Sequence, residues 1–136
     1  MSPEIQRALR RATLLYLTTY SHTGKSGTVP VLFFLHDEAI YFCTQRDTLK
    51  VRRIQQTRRV TLHIGQPTGP YLDCTADLLE DDPALQALLL RTYRKRYPLR
   101  WLFLGPRLRR AFTRGTEIIV RLTPGAEHPT NHCPLT

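Results

Sequence analysis

Two threonines and three basic residues, Thr44, Arg46, Thr48, Lys50 and Arg53, fall within ten consecutive positions of a 136-residue chain. Hydroxyl groups donate hydrogen bonds, and Lys and Arg are cationic across the physiological range. Gathered at one point, these side chains suit an anion, a phosphate above all. Charge alone would make the stretch a solvated basic helix, the commoner use of a run of cations. The spacing T-x-x-x-T-x-K, from Thr44 to Lys50, is what favours the anion.

What must position these residues is a strand that feeds a helix. Ile40, Phe42 and Thr44 alternate with Tyr41 and Cys43, the period of a β-strand. Gln45, Arg46 and Asp47 break the apolar run, and Asp47 or Thr48 supplies an N-cap. The helix that follows is expected to send Leu49, Val51 and Ile54 into a core, with Lys50 and Arg53 sharing another side. Free N–H groups and the helix dipole favour negative charge at such a start.

Other candidate chemistry is sparse. His128, His132 and Cys133 are ligand types for a metal, but terminal tails are usually solvated, so no metal site is assigned. His22 reads as a loop residue, and His63 as the outer face of a half-buried strand. Cys43, Cys74 and Cys133 are odd in number and lack C-x-x-C spacing, which fits reduced thiols. The net charge is +9, from 20 Lys and Arg against 11 Asp and Glu. That invites a nucleic-acid partner. No helix-turn-helix, zinc-finger or RNP motif accompanies it, and a phosphorylated small molecule rewards the same charge. Nucleic acid is therefore the lesser reading.

The length suits one domain, expected over 1–125 with a tail over 126–136. No run of about twenty apolar residues predicts a membrane-spanning helix. MSPEIQRALRRATLLYL has no signal-type apolar segment before a cleavage site, so a cytoplasmic location is expected. Ser2-Pro3 starts a helix to about Arg11, with Ile5 and Leu9 buried. Strands are predicted over Ala12–Tyr20, Thr28–Leu35, Ala39–Thr44, Arg59–Gly65, Tyr71–Leu79 and Thr116–Leu122. The Thr28–Leu35 run reads as buried on both faces, and Pro30 within it points to an edge, a bulge or a corner. Asp82-Pro83 opens a helix that ends near Tyr97. Leu99–Phe112 is amphipathic and basic, with Gly105-Pro106 interrupting it. It suits packing against the strands or a second subunit better than a membrane surface.

The Thr44–Lys50 pattern resembles that of the pyridoxamine 5′-phosphate oxidase-like split-barrel proteins, which bind flavins and deazaflavins. There a strand ending in aromatic-Thr runs into T-x-x-x-S-x-K, and the loop and lysine bind the cofactor phosphate. Here Cys43-Thr44 stands for the aromatic pair, Thr48 for the serine, and Lys50 matches. The resemblance runs from Ala12 to about Pro124, through ATLLYLTT, G-x-V-P-V-x-F from Gly27, K-V-R-R-I, R-R-V-T-L, T-A-D-L-x-x-D and I-V-R-L-T-P. It departs where relatives carry R-x-x-x-x-K one strand earlier, since those positions are Thr28 and Phe33. It departs again at Cys74, in place of a strand glycine, and at the closing GAEHPTNHCPLT, which lacks the substrate-site segment of true pyridoxamine phosphate oxidases.

The resemblance implies an α+β, mainly β fold, a six-stranded antiparallel split barrel with flanking helices, paired as a homodimer around its cofactor. It implies an FMN-dependent oxidoreductase acting on a small molecule. Thr44, Thr48 and Lys50, with Arg46 and Arg53, would hold the phosphate. The cofactor carries such chemistry, so no catalytic residue is assigned. Coenzyme F-420 is the alternative, its acidic tail suited to Arg52, Arg58 and Arg59. A haem-binding relative and a cofactor-free binding module complete the set.

Overall fold

A computed structural model describes residues 1–80 and 82–128. Four helices, α1 (Pro3–Arg11), α2 (Leu49–Thr57), α3 (Pro83–Arg96) and α4 (Pro98–Arg114), accompany seven strands. These are β1 (Leu15–Tyr20), β2 (Ser26–Val31), β3 (Phe34–His36), β4 (Ala39–Gln45), β5 (Arg59–Ile64), β6 (Tyr71–Leu79) and β7 (Glu117–His128). They form one antiparallel sheet in the order β2-β1-β5-β6-β7-β4-β3.

The seventh strand comes from a division the sequence concealed. Thr28–Leu35 is two strands, broken at Leu32-Phe33, and they form the two opposite edges of the sheet. Successive Cα atoms are about 3.8 Å apart, so a two-residue link holds the edges together and the sheet must curl into a barrel. β2 is an edge strand exposed at alternate positions, not a strand buried on both faces. Pro30 lies on it, where a missing N–H costs no ladder bond on the free side.

Helix α3 holds the break closed. Tyr93 Oη donates to the Leu32 carbonyl at 2.8 Å, and Tyr97 Oη lies 2.8 Å from the Thr13 carbonyl oxygen. Arg96 donates to the Ala12 carbonyl at 2.6 Å and sits 4.4 Å over the Phe33 ring. Backbone groups that leave the ladder at the junction are thus satisfied by side chains, as buried polar groups must be.

Two apolar layers result. Leu15, Leu17, Phe33, Ile40, Phe42, Val60, Leu62, Leu72, Val120 and Leu122 fill the barrel, closed by Ile5 and Leu9 of α1 and Ile54 of α2. Ser2 Oγ accepts from the Ile5 N–H at the cap of α1. On the other side of β4, Tyr41 joins Phe34, Ile119, Leu89, Tyr93, Tyr97 and Leu108 under α3 and α4. β4 is therefore covered on both faces, and its two alternating sets go to different layers. Between β3 and β4, Asp37 and Glu38 both have positive φ, as a tight type I′ hairpin turn requires.

Three further expectations are corrected. Leu49 is 57% exposed, while Val51 and Ile54 are buried. Residues two apart on a helix point about 200° apart, so Leu49 cannot share the face of Val51. α4 continues unbroken through Gly105-Pro106. Its stripe of Trp101, Leu104, Leu108 and Phe112 packs on the second layer both before and after the proline. Gly105 is there for contact, since a Cβ on it would lie 2.6 Å from Trp101 Cε2. β7 runs on to His128 instead of ending at Leu122. Beyond Leu122 it pairs with β6 alone, so Pro124 meets no demand for an N–H on the side β4 has left. His132 and Cys133 lie outside the described residues. No helix of the described residues is long and apolar enough to cross a membrane.

Candidate functional site

β4 delivers Thr44 and Gln45 to the sheet end, and a three-residue turn, Arg46-Asp47-Thr48, leads into α2. Thr48 occupies the N-cap position, but its hydroxyl donates back to the Gln45 carbonyl at 3.0 Å. It tightens the turn and leaves the first N–H groups of α2 without a side-chain cap. Lys50 follows in that first turn.

Thr44, Thr48 and Lys50 come together along one cavity of about 340 Å³. Its other walls come from distant parts of the chain: Pro30, Val31 and Leu32 from the β2 end, Tyr93 from α3, Leu104, Arg107 and Leu108 from α4, and Glu117 from β7. Cys43 and Gln45 complete it. The lining thus combines hydroxyls, two cations and a carboxylate with apolar side chains.

Glu117 is buried, at 8% exposure. Register puts it across from Gln45 and one step along the same face from Cys43. Burial pushes its carboxyl above the usual glutamate range, against the pull of Cys43, Arg107 and Lys50. Burial lowers the Lys50 ammonium, and the Glu117 charge partly restores it. The Cys43 thiol is pushed well up by burial and then by Glu117. This thiol is therefore a poor nucleophile, since the thiolate is the reactive form.

The structure places the other two predicted residues elsewhere. Arg46 donates to the Gly115 carbonyl at 2.7 Å and pairs with Glu80 at 2.8 Å, outside the cavity lining. Arg53 lies against β2, where Gly27 makes room: a Cβ there would be 2.6 Å from Arg53 Nη1. Its Nε is buried without a hydrogen-bond partner. His22 bonds to Gln56, and His63 stacks on Tyr71 at 5.1 Å. Arg107, Glu117 and Tyr93 are the cavity residues that sequence reasoning missed. A lone acid at the head of the apolar run IIV was the available signal for Glu117.

The sequence matches the family model described as pyridoxamine 5′-phosphate oxidase over residues 1–119. The chain belongs to the pyridoxamine 5′-phosphate oxidase family. Similar solved structures agree on the fold. HutZ of Vibrio cholerae, described as a heme storage protein, is 17% identical at a TM-score of 0.69, over 92% of this chain and 90% of its own. A Listeria innocua protein described as a putative pyridoxamine 5′-phosphate oxidase is 16% identical at a TM-score of 0.67, over 95% and 97%. A protein described as an F420 reductase is 16% identical at a TM-score of 0.63, over 92% and 96%. No curated protein matches the sequence.

Proposed function

We propose that this family member binds FMN and acts as a flavin-dependent oxidoreductase on a small molecule. One observation carries the reading: Thr44, Thr48 and Lys50 line one cavity together with the apolar Pro30, Val31, Leu32, Leu104 and Leu108. The hydroxyls and the ammonium suit a phosphate, and the apolar side chains suit a flat ring. Thr44, Thr48 and Lys50 hold the phosphate, and Lys50 contributes most because its bond is charge-assisted. Arg46 and Arg53 stand outside the lining and act, in this reading, by shaping the turn and the α2 start. The bound flavin supplies the hydride chemistry, and the chain binds and orients it.

Coenzyme F-420 is the second reading, favoured by a further arginine-lined cavity beside the first. A haem relative is less well supported, because the described lining residues include no histidine. Assembly as a two-fold homodimer is part of the proposal. Leu99, Leu102 and Phe103 of α4 are 81%, 70% and 84% exposed, apolar surface that a second copy would cover. A monomer mass by light scattering, with cofactor present, would remove that part.

Visible spectra during titration with FMN, F-420 and haem test the cofactor. Lys50→Ala is expected to weaken FMN by about ten- to a hundredfold, the equivalent of roughly 1.5–3 kcal/mol for a charge-assisted bond. Riboflavin, without the phosphate, is expected to respond little. Equal losses for both flavins would show that Lys50 does not read the phosphate. Binding of none of the three cofactors would leave the binding-module reading.

A further inference from the structure

We propose that Glu117 is the internal counter-ion of the cavity: its carboxylate answers the charge of Lys50 in the free protein, and it takes up a proton from solvent when a ligand anion arrives at Lys50. This rests on the reading of Lys50 as the residue that holds the ligand's phosphate.

Glu117 is the one buried carboxylate among the described residues. Taking a charge out of water is costly unless a partner meets it. Among the described residues no ion pair takes up Glu117, whereas Asp47, Asp77 and Glu80 each hold an arginine. Glu117 instead lines the cavity that Lys50 and Arg107 also line. The acid is thus placed where a ligand's anion is expected, beside the cation that would bind it.

The charged and titratable groups that face Glu117 come from four elements. Cys43 of β4 shares a hydrogen bond with it, and Arg107 of α4 and Lys50 of α2 attract it. Tyr93 of α3 feels its charge, while the Tyr93 hydroxyl donates to the Leu32 carbonyl. Arg110 and Arg114 of α4 line the neighbouring cavity with it. Arg46, whose N–H donates to the Thr116 carbonyl, is engaged by Glu80. Attraction between Glu117 and Lys50 works both ways: it draws the acid down and the ammonium up, each against burial. Burial holds Cys43 and Tyr93 well above their usual ranges, so Glu117 is the acid of the group that exchanges its proton first.

An anion at Lys50 engages the ammonium and sets a like charge beside Glu117. Both effects favour the protonated carboxyl, so Glu117 titrates higher in the complex than in the free protein. Below the free midpoint the acid is protonated in both states, and the anion binds at full strength. Between the two midpoints, binding draws in a proton. Above the bound midpoint Glu117 is ionised in both states, and the anion binds most weakly. Preference for FMN over riboflavin, which lacks the phosphate, therefore widens as pH falls.

The test follows the Glu117 carboxyl directly, by carbon NMR of the full chain labelled at glutamate and titrated in pH. Sulfate, which keeps its charge throughout, is one probe and FMN the other, each against chloride at matched ionic strength. Either anion is expected to raise the Glu117 midpoint and to leave those of the exposed Glu4, Glu38 and Glu80 in place. Lys50→Gln is expected to raise the Glu117 midpoint without any anion and to abolish the response to sulfate. In calorimetric titrations, FMN affinity is expected to fall across the window by about tenfold more in the wild type than in Glu117→Gln, the equivalent of one pH unit between the midpoints. That comparison cancels the titration of the FMN phosphate itself. A Glu117 midpoint indifferent to both anions, or to Lys50→Gln, overturns the proposal. FMN that binds without moving Glu117 leaves the cofactor reading standing and removes the counter-ion. Sulfate that moves Glu117 while FMN fails to bind does the reverse.

Discussion

Replacing Tyr97 with Phe tests whether α3 holds the barrel shut at the β2–β3 break. Tyr97 is 5% exposed and Phe33 fully buried. The hydroxyl lies 2.8 Å from the Thr13 carbonyl, 3.3 Å from the Phe33 N–H and 3.0 Å from Arg96 Nε. It carries one proton and two lone pairs, so it donates to Thr13 and accepts from the other two. Phenylalanine keeps the ring and its edge contact with Tyr93 at 5.5 Å, so little packing is lost. What is lost is hydrogen bonding, at about 1 kcal/mol net for a satisfied bond and about 1–3 kcal/mol for a buried group left without one. With the Phe33 N–H orphaned, the sum is about 2–4 kcal/mol.

An unfolding entropy of about 2.1 cal/mol/K per residue gives the whole chain about 0.29 kcal/mol/K. The midpoint should then fall by about 7–14 °C in a thermal melt followed by circular dichroism. Tyr93→Phe removes one bond, to the Leu32 carbonyl at 2.8 Å. It should cost about 1 kcal/mol, or roughly 3–4 °C. Both variants melting within about 2 °C of the parent would refute the idea that these hydroxyls close the sheet.

Glu117→Gln should stabilise the protein at neutral pH and lose that advantage in acid. The folded carboxyl titrates above its unfolded value because it is buried. Below the unfolded value both states are protonated and no penalty exists; as pH rises through the folded value, the wild type must ionise a buried acid and loses stability. An advantage that is the same at every pH would contradict this. Gly105→Ala pits a helix-propensity gain of about 1 kcal/mol against a Cβ 2.6 Å from Trp101 Cε2 and 2.9 Å from its Nε1. The clash should win, by about 1–3 kcal/mol. Because Trp101 is the chain's one tryptophan, a shift in fluorescence emission should accompany the loss. A more stable variant with unchanged emission would reverse the ranking.

Local chemistry made much of this protein legible in its sequence. Ser2-Pro3 and Asp82-Pro83 announce helix starts because cap oxygens and proline act within one turn, and both caps form, with Asp82 accepting from the Leu85 N–H at 3.0 Å. The alternation in Ala39–Gln45 gave both faces of β4 correctly, since side chains of a strand must alternate. Thr44, Thr48 and Lys50 share a cavity because seven residues of strand, turn and helix leave them little choice. Tertiary structure decided the rest. Val29 to Leu35 is uniformly apolar apart from Pro30, so no local signal marks Leu32-Phe33 as the break; only the curl of the sheet and the Tyr93 and Tyr97 hydroxyls select it. Pro124 reads as a stop, but a proline ends a strand only where its N–H is needed, and that depends on strands far away in the chain; Pro106 gives up a bond within α4 itself, and the packed stripe on both sides of it keeps the helix continuous. Arg107 and Glu117 reach the cavity across sixty or so residues of intervening sequence. Periodicity assigns a residue to a face of its own element; which other element that face meets is settled by packing, and the cavity exists only there.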